Sequence, residues 1–193
     1  MRRRRSGLNF NRKRRALNAQ VVGEAVSWVL HIAGAILMAA WLVFFVGMRT
    51  SVIGVSMEDT LYNGQQILVN RLSYLIFSPK VGDIVVFWPN GNKNSHYYVK
   101  RVVAGPGDRV QIKEGKLYVN DTITDYGYDK IMDAGIAENE LLLEEDEYFV
   151  MGDNCNNSED SRSGNIGPVR RYAIEGKAWF RFNSTDSYIG FIE

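Results

Sequence analysis

Residues 25–47 form an almost unbroken apolar run in which Ser27 and His31 are the clearly polar side chains. At 1.5 Å rise per residue, roughly 20 such residues cross the hydrocarbon of a bilayer. Few core helices of globular proteins are apolar on every side. The pattern therefore predicts a membrane-spanning helix over 25–47. Beyond Thr50 the pattern shortens to β-branched and aromatic runs bounded by Gly, Pro, Asn and Asp. These runs predict strands over 66–70, 83–88, 97–103, 109–112, 117–120 and 147–151. Gly105-Pro106-Gly107-Asp108 and Glu114-Gly115-Lys116 are turn signals. No long helical period follows the span. The expected fold is mostly β: a coiled antiparallel sheet or barrel-like domain after one N-terminal transmembrane helix.

The charge distribution divides the chain further. The net charge is +1 over 193 residues, yet residues 1–15 hold eight basic side chains and no acid, which leaves 15 bases against 22 acids in the remainder. By the positive-inside rule, residues 1–24 are expected to be a basic cytoplasmic arm and residues 48–193 an extracytoplasmic domain. Met48-Arg49-Thr50 follows the apolar run where a cleavable leader would carry a small-x-small site, so the run reads as a signal anchor. The arm is expected to meet anionic lipid headgroups rather than nucleic acid. Residues 121–147 carry ten acids and a single base, Lys130. They read as a solvated insertion or long loop between strands.

With 46% hydrophobic residues the chain can build a core, which excludes low-complexity disorder for the whole. One cysteine excludes an intramolecular disulfide, and two histidines with that cysteine argue against a His/Cys zinc site. Cys155 reads as a non-catalytic thiol, and His31 as a histidine tolerated in the span. No cofactor and no metal are expected.

Three segments hold the candidate chemistry: 54–61, 97–108 and 152–162. Ser56 follows a Gly turn and could be a nucleophile, but a serine hydroxyl needs a base. His96 is the one histidine after the span, so a Ser-His-Asp arrangement rests on it alone. A lysine can serve instead if burial lowers its pKa enough to make it neutral. Lys100 lies in a strand-like run. By alternation it shares a face with Tyr98 and Val102, and Arg101 is expected to face water. The third segment is rich in Asx, but its spacing does not fit an EF-hand loop.

Taken together and in this order after one span, Ser-Met-x-x-Thr-Leu, Lys-Arg-Val-Val-x-Gly-x-Gly-Asp and Gly-Asp-Asn-x-x-Asn-Ser-x-Asp-Ser-Arg resemble the bacterial type I signal peptidases. Gly82-Asp83-Ile84-Val85-Val86-Phe87 and Leu117-Tyr118-Val119-Asn120 look like further blocks of that family, and the resemblance runs from Val52 to Arg162. The lysine and the short single-span chain look like a Gram-positive member. The resemblance implies that Ser56 attacks the scissile carbonyl and that Lys100 is the general base. It implies that Ser158 orients the lysine, that Asp160 and Arg162 form a supporting ion pair, and that Gly152 allows close approach. The Ser56 N–H would serve the oxyanion. Val52, Ile53, Met57, Tyr98 and Val99 are the candidates for substrate binding.

Two positions depart from the family pattern. Gly54 stands where some members place an oxyanion-assisting serine, and Asp59 where a proline is usual. The implied function is removal of signal peptides from exported preproteins at the bacterial cell membrane, with signal peptides and the lipid bilayer as partners and no nucleic acid or metal. Two alternatives stay open. One is a non-catalytic anchored relative acting as a chaperone or assembly factor for surface structures. The other is a self-cleaving repressor of the LexA type, against which the span argues.

Overall fold

The computed structural model describes residues 19–124, 126, 128, 130–182 and 189–192. The basic stretch 1–15 lies outside these. Helix α1 runs Ala19–Val46, six residues earlier than the apolar run alone suggested. From Gln20 to Val46 it is long and apolar enough to cross a membrane. Within it the His31 Nδ1 donates to the Ser27 carbonyl at 2.7 Å, so one nitrogen of this polar ring finds its partner inside its own helix. The chain divides into two compact units, one ending at Trp41 and one beginning at Leu42.

The second unit is antiparallel β. Its strands are β1 (Met48–Ser51), β2 (Gln66–Asn70), β3 (Ile84–Phe87), β4 (Tyr98–Ala104), β5 (Arg109–Lys113), β6 (Lys116–Val119), β7 (Thr122–Ile123), β8 (Leu141–Leu142), β9 (Glu147–Met151), β10 (Val169–Arg170), β11 (Ile174–Arg181) and β12 (Gly190–Phe191). A four-residue helix, α2, spans Ser73–Ile76. The large sheet has the order β1-β2-β11-β3-β4-β9-β10, with β12 also paired to β11. A smaller sheet has the order β7-β6-β5-β8. Register shifts at Ala178/Phe180, Ile174/Gly176 and Val102/Ala104 interrupt the large sheet. Each such irregularity sharpens the local twist, and the sheet curls.

All six predicted strands form. Six further strands were not expected from the sequence: β1 and β11, and the two-residue strands β7, β8, β10 and β12. Residues 48–50, read as a stop after the span, pair with β2 from Met48↔Val69 to Ser51↔Gln66. Strand β11 sits at the centre of the sheet between β2 and β3. Its inward positions include Gly176 and Ala178, which carry almost no apolar signal. A Cβ on Gly176 would lie 2.7 Å from the Asn70 carbonyl oxygen, so the close approach of β11 to β2 requires glycine there.

β3 is buried on both faces. Ile84 and Val86 join a cluster with Val52, Met57, Leu61, Ile67, Val69 and Val99. Val85 and Phe87 join another with Val102, Tyr148 and Val150. Each fully buried side chain of this kind stabilises by about 1.5–3 kcal/mol relative to exposure. A third cluster joins the two sheets and takes in Ile131, Ala137 and Leu143. The acidic stretch 121–147 is therefore not simply a solvated loop. Its described charged residues stay exposed or half-buried while these three apolar ones fill the core beneath.

Candidate active site

A groove of about 430 Å³ runs between residues 52–56 and residues 96–100, closed at one side by Asn157 and Glu159. Both walls run toward Ser56 and Lys100, and there the Lys100 Nζ lies 2.6 Å from the Ser56 Oγ. The Lys100 side chain is 4% exposed. Burial pulls its pKa down to about 8, while Asp160, Glu159 and Asp153 pull the other way and burial wins. The ammonium also lies 5.5 Å from the Tyr98 ring centroid.

The segment that carries Ser56 is held from several sides. Glu58 N–H donates to the Val55 carbonyl, and Thr60 and Leu61 N–H both donate to the Met57 carbonyl. Thr60 Oγ1 donates to Asp153 Oδ2 at 2.5 Å, and Arg181 Nη1 donates to the Thr60 carbonyl at 2.7 Å. Asn154 N–H donates to the Ser56 carbonyl at 3.0 Å, and its side chain to the Val55 carbonyl at 3.2 Å. These bonds fix the turn around Asp59 without the usual proline. Gly54 N–H donates to Asn63 Oδ1 at 2.9 Å.

Loop 152–162 backs this arrangement. Any Cβ on Gly152 would collide with the Ser56 carbonyl oxygen and the Ser158 side chain. Glycine there lets the two segments touch. Asp160 and Arg162 form a buried bidentate pair at 2.8 and 2.9 Å, and Asp160 Oδ2 also accepts the Gly152 N–H at 3.1 Å. Arg162 donates further to the carbonyls of Asp133, Cys155 and Ser158. Asp160→Ala is expected to cost about 3–5 kcal/mol, because it leaves a buried guanidinium without its counter-charge. Urea unfolding would measure this, and a loss below about 1 kcal/mol would mean that the pair is not sealed from water.

Four of the five substrate-binding candidates, Val52, Ile53, Tyr98 and Val99, line the groove. Met57 does not. It is fully buried in the core cluster beneath, against the expectation for a residue next to the nucleophile. The helical turn begun at Met57 points its side chain inward. Arg101 also departs from expectation. The sheet is covered on that face too, so Arg101 does not turn to water. It pairs with Asp153 through Nε and Nη2, both at 2.8 Å, and donates to the Gly82 carbonyl at 2.9 Å. The Ser158 Oγ is buried with no hydrogen-bond partner among the described residues, so the expected bond to Lys100 is not formed. His96 lines the groove as an exposed side chain, and the Ser56 hydroxyl meets Lys100 instead. Sequence reasoning missed Asp153 and Asn154, which tie the third segment to the first. Their signal was present in Gly-Asp-Asn, but the partners are about 50 and 100 residues away.

A larger cavity, about 500 Å³, lies between residues 132–136 and the far side of loop 155–164. Its lining includes Cys155, Ser158 and Ser163 but no lysine or histidine, whereas the smaller groove holds a serine against a lysine and is the better site.

The chain is similar to known peptidases. A family model described as signal peptidase, peptidase S26, matches residues 25–183. A signal peptidase I P of Bacillus subtilis subsp. natto is 37% identical over 157 residues, covering 74% of this chain and 82% of its own. A signal peptidase IB of Staphylococcus aureus is 31% identical over 178 residues, covering 82% of this chain and 90% of its own. Among solved structures, a signal peptidase I from Enterococcus faecalis V583 is 26% identical, with a TM-score of 0.41, over 52% of this chain and 97% of that one.

Proposed function

This chain belongs to the signal peptidase family, peptidase S26, and we propose that it cuts by a Ser56/Lys100 dyad while anchored by α1. As a family member it is a hydrolase, a peptidase that removes signal peptides from preproteins. The dyad rests on one observation: a lysine amine 2.6 Å from a serine hydroxyl, buried enough to be held near a pKa of 8.

The chemistry follows from that contact. When Lys100 is neutral, the Ser56 hydroxyl donates to its Nζ lone pair. As Oγ attacks the scissile carbonyl, the proton passes to Nζ. The resulting ammonium then protonates the leaving amine as the C–N bond breaks, which leaves an acyl ester on Ser56. Neutral again, Lys100 takes a proton from the incoming water, and hydrolysis frees the signal peptide and restores Ser56. The Ser56 backbone N–H is assigned to the oxyanion, where each donor contributes about 3–4 kcal/mol. Ser158 is read as a positioning residue for the lysine. Its support is an unpartnered buried hydroxyl packed, like the Ser56 carbonyl, against the side of Gly152 where a Cβ would stand.

The substrate is an extended chain laid between the two walls, its alternate side chains meeting Val52, Ile53, Tyr98 and Val99. These walls are apolar and shallow, which favours small residues just before the cut. Helix α1 serves as a single-pass anchor of the bacterial cell membrane. The basic arm would lie in the cytoplasm, and the domain from residue 48 on the other side. Ser56 follows Val46 by ten residues, which keeps the nucleophile close in sequence to the membrane exit.

The direct test is cleavage of a purified preprotein by the full chain in lipid, with the product's N-terminus sequenced. The expected cut follows a small-x-small triplet. No cut on several preproteins that a known peptidase processes would refute the reading and favour a non-catalytic assembly role.

A further inference from the structure

We propose that the larger cavity, behind loop 155–159, receives the preprotein just after the cut and selects a lysine or arginine there, at the second or third residue of the released chain. The proposal rests on the reading of the groove as the seat of the residues before the cut. It adds a charge preference that the apolar groove walls do not supply.

The loop stands as a ridge between two hollows. Asn157 lines the groove of about 430 Å³, while Asn156 and Ser158 line the cavity of about 500 Å³. Glu159 lines both, so the two spaces meet at its side chain. The cavity also reaches the backbone of the nucleophile. The Ser158 side chain and the Ser56 carbonyl oxygen both press on the side of Gly152 where a Cβ would stand. The walls at 52–56 and 96–100 hold the substrate up to Ser56, and the chain that continues past the dyad crosses the ridge. An extended chain advances about 3.3 Å per residue, so its second and third residues past the cut stand about 7–10 Å on, enough to clear a ridge one turn wide.

The lining identifies the side chain that fits. Asp133 and Glu159 bring two carboxylates to the cavity, and both residues are exposed. Their hydrogen-bond partners are neutral: Glu159 Oε2 accepts the Tyr98 hydroxyl at 3.1 Å, and Asp133 Oδ1 accepts the Gly135 N–H at 2.9 Å. The cation of the lining, Arg162, is 6% exposed and already paired with Asp160. The cavity therefore carries unbalanced negative charge. Among the described residues no group of three His, Cys, Asp or Glu could hold a metal ion, which leaves an organic cation as the complement.

The rim narrows the choice to a long side chain. Met132 is 84% exposed and Ile136 36% exposed, and both border the two carboxylates. Lysine and arginine lay an aliphatic stem on such a surface and keep the charged head beyond it. A glutamate at the same place would meet like charge from both sides. Selection here would work by attraction of one class and repulsion of the other.

The test compares soluble peptides cut by the full chain in detergent. All share one small-x-small sequence before the cut and carry Lys, Ser or Glu at the second or third position after it. Product masses fix the place of cleavage. At low salt the wild type should cut the Lys peptide with a kcat/KM about tenfold above that of the Glu peptide, the Ser peptide lying between and most of the difference appearing in KM. Two substitutions remove charge and keep the hydrogen bonds. Glu159→Gln still accepts the Tyr98 hydroxyl, and Asp133→Asn still accepts the Gly135 N–H. Each should lower the Lys-to-Glu ratio to about threefold, and the double variant should bring it near one. A wild-type ratio within about twofold of one, or a ratio that the double variant keeps, would overturn the role of the cavity and leave the dyad standing. If the wild type cuts none of the peptides, or Ser56→Ala cuts them equally well, the peptidase reading falls and this inference with it.

Discussion

Lys100→Met is expected to abolish processing and at the same time stabilise the fold at neutral pH. Loss of a catalytic base from a nucleophile–base unit costs on the order of 10,000-fold or more in kcat/KM, and losing both members costs little more than losing one. Ser56→Ala should therefore match Lys100→Met in activity, and the double variant should be no worse. Stability separates the two. A lysine held near 8 instead of at 10.5 carries its charge in the fold at a penalty of about 3 kcal/mol, which an apolar side chain of similar length does not bear. Below pH 8 both folded and unfolded chains hold the proton, and the whole penalty stands. Between 8 and 10.5 the folded chain releases it first, so the wild type gains stability as pH rises. The advantage of Lys100→Met should be about 2–3 kcal/mol at pH 7 and close toward pH 10.5. Chemical denaturation at both ends of that window measures it. Equal stability of the two proteins at pH 7 would show that the amine is not held in a dry site.

The second large effect is on the pH–rate profile. Only neutral Lys100 can accept the serine proton. With the amine near 8, kcat/KM should fall about tenfold for each pH unit below that point and level off above it. Lys100→Arg should be inactive across the range, since a guanidinium stays charged. The measurement is kcat/KM on a soluble peptide from pH 5 to 10, with chemistry shown to limit the rate. A limb in the ordinary histidine range, near about 6.5, would identify a different base.

Much of this arrangement was legible in the sequence, for reasons that differ by element. Strands β2, β5 and β9 announced themselves through Ile, Val, Tyr and Phe at alternate or continuous positions. Strand β11 did not, because two of its three buried positions are Gly176 and Ala178, and close backbone approach replaces side-chain bulk there. Strand β1 was hidden by the end of the apolar run. Ser56 and Lys100 could be paired from their motifs, and alternation along β4 correctly put the lysine inward. The same alternation misplaced Arg101, because it assumes one face of the sheet is wet. Here Asp153 waits on that second face, and no local pattern reveals a partner 52 positions away. Met57 was misread for a related reason. Adjacency to a nucleophile says nothing about which way a tight turn sends the next side chain.

Arg162 has a bearing on how this protein can vary. Surface insertions between strands are usually where a lineage lengthens or trims a chain at little cost. The stretch around Asp133 is not free in that sense. Its carbonyl is an acceptor for Arg162, Met132 N–H and the Lys130 carbonyl both bond the Asn156 side chain, and Ile136 N–H donates to the Arg162 carbonyl. A shortened hairpin grafted across 130–136 would remove partners from the loop that abuts Ser56. Drift in length should therefore gather at the Thr122–Thr124 edge, while 130–136 should act as an indel-intolerant splice to the loop behind Ser56, a boundary that chimera design should respect.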